Sequence, residues 1–366
     1  MFLEIEKRKL IESVGIVSRF AETRNATLPS LTGILIVAGD DGIKLRATNL
    51  ETGIDISLEG TIKEEGVVVV PAHTIKDICS SLDPKGVITL KKEGESLTLK
   101  TTGLTSTIRT LPYEDFPSIP TTPTTTALLT LPVSDFFSMT QSVLPYASTS
   151  TVRPELSSIL FSHSGGTLTL VATDSFRLAE KKVSLPKNTP SFSFLIPAKN
   201  LGLIQQSLPD GETTIFADDN QCLLQFDGGT ITSRLTQGTY PDYTQIIPKS
   251  FSSEATLLKK DLENSLKRSA VFADAFQKVT IHTDPGKKEV VVTAKNNDIG
   301  ETEDHLEGSV TGESVTISFN HKYLSAPLQL IQSETITFSI SGLGRAATIK
   351  GKNDPSFLYL VMPMNQ

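Results

Sequence analysis

The chain has 366 residues and a net charge of −7, and 38% of its residues are hydrophobic. This length suggests two or three domains, each able to bury a core. No apolar run approaches the roughly 18–20 residues that cross a bilayer, and residues 2–9 carry charges where a signal peptide is apolar. Cys79 and Cys222 are too few and too distant for a disulfide framework or a zinc site. We therefore expect a cytoplasmic protein without membrane segments.

A strand, a tight turn and a second strand occur three times along the sequence. The turns are rich in Gly, Asp and Pro, which supply the backbone angles that hairpins require. The second strands contain matching alanines, Ala47, Ala172 and Ala294, which lie 125 and 122 residues apart. The sequence therefore predicts hairpins near residues 33–49, 158–174 and 279–296.

A strand that runs directly into a helix recurs at the same period. The three transitions are Val70-Pro71-Ala72, Ile196-Pro197-Ala198 and Phe319-Asn320-His321. Proline is tolerated at a helix start because its missing N–H would have no partner there. Pro327 predicts a kink in the third helix. Apolar residues at helical spacing follow each transition, namely Ile75, Ile78, Cys79 and Leu82, then Leu201, Ile204 and Leu208, then Leu324, Leu328 and Ile331.

A further helix opens each repeat and provides a third landmark. Leu10, Phe136 and Leu262 mark it with a constant spacing of 126 residues. Three landmarks with one common period predict a threefold internal repeat. The apolar positions expected on these helices are Leu10, Val14 and Val17, then Phe136, Thr140 and Val143, then Leu258, Leu262 and Leu266.

Two breaks in the pattern divide the chain. The stretch 121–126 is rich in Thr and Pro and has no periodicity, and 248–253 is a weaker break. The expected domains are residues 1–120, 127–248 and 252–366. Each holds two helices and about eight short strands, so each is an α+β domain of about 120 residues.

Residue patterns for catalysis or metal binding are absent from the sequence. The five histidines show no metal-ligand spacing, and no nucleophile elbow, phosphate-binding loop or dinucleotide fingerprint is found. Asp40-Asp41 is better explained as a hairpin tip, and the acidic run 301–307 as a solvated surface. We expect no cofactor, no metal ion and no catalytic site.

Several motifs resemble the beta subunit of bacterial DNA polymerase III, the sliding clamp. They are residues 171–179 (Val-Ala-Thr-Asp-Ser-Phe-Arg-Leu-Ala), Tyr240-Pro241-Asp242-Tyr243, the C-terminal residues 359–364, and Leu111-Pro112 with Asp115-Phe116-Pro117. The resemblance covers essentially the whole chain. It implies the DNA-clamp fold, in which two protomers join head to tail into a ring of six domains with strands outside and helices lining the hole.

The resemblance also implies where two copies meet. By position, Ile108 on an edge strand and Val271 and Phe272 after the first helix of the last repeat would lie at the dimer interface. Burial in the core of their own domain is the alternative for all three.

A ring holds DNA by topology, so its lining needs only weak and non-specific phosphate contacts. Many Lys and Arg residues fall on or beside the predicted helices, while acidic residues are frequent in strands and loops. A positive lining would reconcile a net charge of −7 with binding to double-stranded DNA. The resemblance implies DNA contacts for Arg24, Arg153 and Lys199. Solvation of amphipathic helices is the other explanation for any one of these bases.

The resemblance further implies a pocket between the second and third domains that binds short peptides. The implied partners are the replicative polymerase, the clamp loader and repair polymerases. Flexible methionines suit such a pocket because they repack around different ligands, although an apolar C-terminus is usually just a last strand. Gln245 and the ending Asn365-Gln366 depart from the family pattern and put the motif preference in doubt. The implied pocket residues are Leu156, Thr173, Ser175, Arg177, Leu178, Pro241, Ile246, Asn320, Tyr323, Val361, Met362, Pro363 and Met364.

Two other functions are compatible with a threefold repeat. One is a protein-interaction scaffold that never binds DNA, and the other is an enzyme of polysaccharide or nucleotide metabolism. The scaffold differs from a clamp in whether the protein is trapped on closed circular DNA. The enzyme would require an acid/base or metal cluster that the sequence does not offer.

Overall fold

The computed structural model describes residues 1–23 and 28–364. These residues form 26 strands and six α-helices, distributed evenly over three successive parts of the chain. Each part begins with a strand that leads into a helix and contains a second helix midway. The α+β repeat predicted from the sequence is therefore confirmed.

The first repeat contains two helices, α1 (Lys7–Val17) and α2 (Ala72–Ser80). Its nine strands are β1 (Phe2–Glu6), β2 (Gly33–Gly39), β3 (Gly42–Thr48), β4 (Thr52–Leu58), β5 (Gly60–Glu64), β6 (Gly66–Pro71), β7 (Val87–Glu93), β8 (Ser96–Thr101) and β9 (Leu104–Arg109).

The second repeat contains α3 (Val133–Gln141) and α4 (Ala198–Gln205). Its eight strands are β10 (Leu129–Pro132), β11 (Ser158–Ser164), β12 (Thr167–Thr173), β13 (Arg177–Ser184), β14 (Phe192–Pro197), β15 (Glu212–Ala217), β16 (Gln221–Phe226) and β17 (Gly229–Arg234).

The third repeat contains α5 (Lys259–Ser269) and α6 (His321–Ser325). Its nine strands are β18 (Ser253–Leu258), β19 (Lys278–Asp284), β20 (Glu289–Asn296), β21 (Gly300–Glu307), β22 (Ser309–Gly312), β23 (Val315–Asn320), β24 (Thr335–Ile340), β25 (Ala347–Gly351) and β26 (Asp354–Val361).

The three predicted hairpins are confirmed as β2–β3, β11–β12 and β19–β20. Their turns use the residues that the sequence indicated. Gly42 has φ 92°, and Gly165 and Gly166 have φ 60° and 79°, a left-handed region that a residue without Cβ enters at little cost. The three strand-to-helix transitions are confirmed as well, since α2, α4 and α6 begin directly after β6, β14 and β23.

Most of the apolar helix positions are buried, Ile78 and Leu82 are half-buried, and one is exposed. Leu258 is 53% exposed, so its expected place on the buried face of α5 is wrong. It is the last residue of β18 and the N-cap of α5, which places its side chain before the first helical turn. Leu262 and Leu266 form the buried face instead. Near Pro327 the chain does not kink within one helix, because α6 ends at Ser325 and a 3-10 turn, Ala326–Gln329, contains the proline.

The chain divides into two compact units. Unit 1 comprises residues 1–137 and 199–235, and unit 2 comprises residues 138–198 and 236–366. Each unit contains one long sheet that joins strands of two neighbouring repeats, which is why the boundaries of the units cut through the second repeat.

The long sheet of unit 1 has the strand order β10-β15-β16-β17-β4-β3-β2-β6. Strand β17 of the second repeat pairs antiparallel with β4 of the first, with Ser233 opposite Thr52 and Thr232 opposite Gly53. A second sheet of unit 1 has the order β5-β1-β7-β8-β9. Strand β9 lies at its edge.

The long sheet of unit 2 has the order β14-β11-β12-β13-β26-β25-β24-β18-β22. Here β26 of the third repeat pairs with β13 of the second, with Val361 opposite Arg177 and Leu360 opposite Leu178. The pairing therefore repeats the β4–β17 arrangement. A smaller sheet of unit 2 has the order β21-β20-β19-β23, and β21 lies at its edge.

Candidate functional site

A tight turn between β12 and β13 lies at the centre of the site. The Asp174 carboxylate accepts hydrogen bonds from the backbone N–H groups of Phe176 and Arg177, both at 3.0 Å. The Thr173 hydroxyl donates to the Arg177 carbonyl at 2.7 Å and accepts from the Ser175 N–H at 3.2 Å. Ser175 has φ 76°, a conformation that a residue with a Cβ rarely adopts. Four hydrogen bonds therefore hold this turn in one shape.

Arg177 connects the turn to two tyrosine rings. Its Nε donates to Asp174 Oδ2 at 2.8 Å, and its guanidinium lies 5.2 Å from the ring centre of Tyr146 and 4.7 Å from that of Tyr323. Burial disfavours the charged form, but the hydrogen bond to Asp174 and the nearby negative groups outweigh it, so the pKa of Arg177 is raised. The guanidinium is therefore a fixed, permanently charged support beneath the site.

The end of the chain runs alongside this turn. Past β26, the Met362 N–H donates to the Phe176 carbonyl at 2.8 Å, and the Met364 N–H donates to the Ser318 carbonyl at 2.8 Å. A groove of about 450 Å³ lies beside this tail, and we name it the aromatic groove. Its lining residues are Ser175, Phe176, Asn320, Tyr323, Met362, Pro363 and Met364.

A second groove of about 400 Å³ shares Met362 with the first. Lys249 and Arg345 supply positive charge, and no described residue that lines either groove is acidic. We name this second space the cationic groove. Its lining residues are Gln245, Ile246, Ile247, Pro248, Lys249, Ser250, Ser341, Gly344, Arg345, Ala346 and Met362.

An apolar cluster lies against the cationic groove and meets the aromatic groove at Met362. Val171, Leu178, Leu195, Tyr240, Ala346 and Leu360 form it, and Tyr243, Ile247 and Met362 pack against it. The Tyr243 hydroxyl donates to Glu180 at 2.7 Å, and burial followed by this hydrogen bond raises the pKa of Tyr243. Since the cluster is packed and its tyrosine is anchored, the floor of the cationic groove is preformed.

The structure brings most of the predicted pocket residues together. Ser175, Asn320, Tyr323 and Met362–Met364 line the aromatic groove, and Ile246 lines the cationic groove. Leu156, Leu178 and Val361 are buried, and Pro241 is exposed at the start of the segment that carries Ile246. Thr173 and Arg177 shape the turn rather than the groove surface.

Residues that the sequence analysis omitted also line the grooves. Phe176 is the largest of them and is 60% exposed. It lies inside the motif 171–179, so the sequence did point to this segment. Nothing in the motif, however, indicates that the aromatic side chain is exposed. Lys249 lies just past the motif 240–243 and Arg345 lies in the loop between β24 and β25, and no local pattern in the sequence indicates that either lines a groove.

Two of the three residues expected at DNA, Lys199 and Arg153, are exposed. Lys199 is exposed in the first turn of α4, and Arg153 is exposed in the loop before β11. Arg24 lies outside the described residues.

The three residues expected at a dimer interface differ in exposure. Ile108 is on the edge strand β9 with its side chain buried, Val271 is 61% exposed, and Phe272 is half-buried. Phe272 also lies close to Gly300 at the start of β21.

The described residues offer no cluster of three or more His, Cys, Asp or Glu side chains that could bind a metal ion. Burial raises the pKa of both cysteine thiols to about 12, so neither is a thiolate at neutral pH. No helix within residues 1–23 and 28–364 has the length and apolarity needed to cross a membrane.

Comparison with known proteins covers nearly the whole chain. Residues 1–120 match the N-terminal domain of the DNA polymerase III beta subunit, residues 130–242 its central domain and residues 244–365 its C-terminal domain. The beta sliding clamp of Vibrio cholerae is 27% identical over 370 residues, which covers 100% of both chains.

Solved structures agree with this match. The DNA polymerase sliding clamp from Bacillus subtilis has a TM-score of 0.94 and 25% identity, covering 100% of this chain and 99% of that one. The sliding clamp from Pseudomonas aeruginosa, solved bound to griselimycin, has a TM-score of 0.93 and 26% identity, with 100% of both chains covered. The chain therefore belongs to the DNA polymerase III beta subunit family, the beta sliding clamps, and has their three-domain clamp fold.

Proposed function

We propose that two copies of this chain close head to tail into a ring around duplex DNA and tether the replicative DNA polymerase as a processivity factor. The observation that carries the proposal is the family match, which spans all three repeats from residue 1 to residue 365. It disfavours the scaffold without DNA binding, because the curated and structural relatives of this chain are sliding clamps.

The internal repeat supports a head-to-tail dimer. Repeats one and two join through β4 and β17, and repeats two and three join through β13 and β26. In the third repeat, β21 has the position of β4 and β13. In the first repeat, β9 has the position of β17 and β26. Both β21 and β9 lie at the edge of their sheets. Because an open edge is a template for another strand, we infer that β21 of one copy pairs with β9 of the other.

The same comparison predicts the register of that pairing. In the first junction Gly53 is opposite Thr232 and Asp55 is opposite Thr230. At the corresponding positions of β21 and β9, Glu301 of one copy would be opposite Thr107 of the other, and Glu303 opposite Thr105. Val271 and Phe272 follow α5, and Phe272 lies close to Gly300, so both would flank the paired strands.

The distribution of charge supports DNA inside the ring. The six described helices carry ten Lys or Arg and five Asp or Glu residues, a net charge of +5, whereas the whole chain carries −7. The rest of the chain therefore carries −12. If the helices line the hole, the lining attracts phosphates while the outer surface repels them. Arg24, Arg153 and Lys199 are the proposed contacts.

The two grooves of unit 2 are proposed to bind short peptide segments of the polymerase, the clamp loader and repair polymerases. Apolar walls, a preformed floor and flexible methionines suit an extended peptide. The Pseudomonas aeruginosa relative was solved with griselimycin bound. The protein is proposed to have no catalytic site of its own.

Removal of residues 362–366 tests the assignment of the grooves. This truncation should abolish binding of a fluorescent partner peptide, because Met362 lines both grooves and Met364 lines the aromatic one. The dimer mass should not change. Removal of only Asn365 and Gln366 is the matched control and should keep the affinity. Undiminished binding by the longer truncation would exclude these grooves as the peptide site.

Trapping on circular DNA tests the ring. Protein loaded onto a nicked plasmid by a bacterial clamp loader should stay with the circle during gel filtration at high salt. It should be released once the plasmid is cut, because a ring slides off a free end. Equal retention on circular and linear DNA would contradict a topological link.

A further inference from the structure

Unit 1 contains a cavity at the junction of the first and second repeats that the proposed function does not use. Its volume is about 200 Å³. It lies between the turn that joins β3 to β4, the start of β16, the end of β17 and the linker residues 117–120. Sites for drug-sized molecules usually have roughly 300–1,000 Å³. The cavity therefore suits a smaller ligand.

The walls of this cavity are held in place by side-chain hydrogen bonds and close packing. The Asn49 side-chain oxygen accepts from the Thr52 N–H at 2.7 Å and fixes the turn. On the opposite wall, the Asn200 amide donates to the Ser233 hydroxyl at 3.0 Å. The linker packs against β4 so closely that a Cβ added to Gly53 would lie 2.8 Å from a methyl group of Ile119. A ligand would therefore meet a preformed site.

Two unlike charges stand next to each other at this cavity. The Arg234 N–H donates to the Glu51 carbonyl at 2.8 Å, which extends the pairing of β17 with β4 by one residue pair beyond Ser233 and Thr52. Directly opposite residues of an antiparallel pair direct their side chains to the same face. Both the Arg234 and the Glu51 side chains line the cavity.

These two side chains nevertheless do not bind each other. Within residues 1–23 and 28–364, neither the Glu51 carboxylate nor the Arg234 guanidinium has an ion-pair or hydrogen-bond partner. The cavity therefore presents one positive and one negative group, each with its hydrogen-bonding capacity unused.

The remaining lining adds an apolar wall. Leu50 is 44% exposed, although its backbone is fixed in the turn with φ 71°. Pro117, Ile119 and Pro120 of the linker also line the cavity. This surface suits an aliphatic side chain, because burying it there removes apolar area from water.

We propose that this cavity binds a free aliphatic α-amino acid in its zwitterionic form. The Arg234 guanidinium would bind the carboxylate and Glu51 the ammonium group, with the aliphatic side chain against Leu50 and Ile119. A ligand with only one charge would meet a like charge as well as an unlike one, so the zwitterion is favoured. The site shares no residue with the two grooves of unit 2.

A calorimetric titration of the full chain tests the proposal with three ligands of the same aliphatic skeleton. They are L-leucine, 4-methylpentanoate, which lacks the ammonium group, and 3-methylbutylamine, which lacks the carboxylate. We expect L-leucine to bind about tenfold more tightly than either of the others, because each of them leaves one charged group of the cavity without a partner.

Two variants separate the contributions of the two charges. In Arg234→Gln, the preference for L-leucine over 3-methylbutylamine should fall close to one, since the carboxylate has lost its partner. In Glu51→Gln, the preference over 4-methylpentanoate should fall in the same way. Lys350→Gln removes an exposed charge on β25 and is the control that should keep both preferences. All three variants keep their backbone hydrogen bonds, and thermal melts verify that they fold.

Either of two results would overturn the proposal. One is a dissociation constant for L-leucine weaker than about 10 mM in the unmodified protein. The other is that L-leucine keeps both of its preferences in Arg234→Gln and in Glu51→Gln. Neither result would bear on the ring or on the peptide grooves, which use other residues.

Discussion

At the scale of single residues, Asp174 determines the shape of the site. Its carboxylate holds two backbone N–H groups and the Arg177 side chain at once. The first repeat has Asn49 in the same place, where the amide oxygen accepts from the N–H groups of Glu51 and Thr52. Leu50, with φ 71°, takes the position of Ser175. The turn therefore depends on the side-chain oxygen rather than on charge.

Replacing Asp174 by Ala should lower the free energy of unfolding by about 1–3 kcal/mol, because two N–H groups and Arg177 lose their acceptor. Urea denaturation measures this change. Asp174→Asn is the matched control and should be milder, since Asn49 performs the same role in the first repeat. An equal loss of stability in both variants would show that the charge of Asp174, and not its hydrogen bonds to the turn, provides the stabilisation.

We expect His305 to make the stability of the third repeat depend on pH. Hydrogen bonds to Glu289 and then to Glu303, both at 3.0 Å, raise the pKa of His305 above its ordinary value of 6.5. A raised pKa means that the folded state prefers the charged imidazole. Its stabilising contribution is therefore complete below pH 6.5 and is lost as the pH rises through the pKa of the folded state.

We expect the melting temperature of the protein to fall over that pH interval by an amount that His305→Gln abolishes. Thermal melts recorded from pH 6 to pH 9 check this, with His282→Gln, on strand β19 of the same sheet, as the control. The effect is small because the pair is exposed to solvent. A pH profile that is identical in His305→Gln would refute the assignment.

At the scale of elements, the same junction occurs twice with different surfaces. The first junction encloses a cavity of about 200 Å³, but its lining includes Glu51, Gln221 and Arg234. Arg234 stands where Met362 stands in the second junction, one residue past the strand pairs Ser233–Thr52 and Val361–Arg177. A shared backbone arrangement therefore gives an apolar groove only where a methionine, Met362, and not an arginine follows the last strand.

The edge strand β9 offers an element-scale test of the dimer. The Thr110 N–H donates to the carbonyl of Glu95, the residue before β8, and alternation along the strand directs the Thr107 N–H away from β8. Thr107→Pro removes that outward donor while keeping the β8–β9 hydrogen bonds. We expect the dimer dissociation constant to rise at least about tenfold.

Sedimentation velocity measures this dissociation, and Thr107→Ala, which keeps the N–H, is the control. A dimer as tight as that of the unmodified protein would argue against pairing through β9. A loss of secondary structure in circular dichroism would instead show that the proline disturbs the sheet.

At the scale of the whole molecule, the proposed function depends on a positive surface within a negative chain. Lys199→Gln should reduce the slope of log affinity against log salt for duplex DNA by about one, because one fewer phosphate is neutralised. Filter binding at several salt concentrations measures the slope. Lys350→Gln, an exposed lysine on strand β25, is the control and should leave the slope unchanged.

An equal effect of both lysines would mean that the net charge of the chain, and not its helices, governs DNA binding. The mass in solution, close to twice 39.6 kDa for a dimer, should be the same for both variants.

The sequence alone determined the repeat, the fold class and the family. Hairpin turns with Gly, Asp and Pro, and apolar residues at helical spacing, are local signals, so they are readable in residues such as Ala47, Ala172 and Ala294. The motif 171–179 and the C-terminal residues 359–364 indicated the family for the same reason, because each is a continuous stretch.

Only the tertiary structure decided which side chains meet. Phe176, Lys249 and Arg345 come from separate segments, and their assembly around Met362 depends on the pairing of β13 with β26. The misplacement of Leu258 has a similar origin, since helical spacing alone does not reveal where the strand ends and the helix begins. Burial and proximity are set by long-range strand pairing, and no local pattern in the sequence records them.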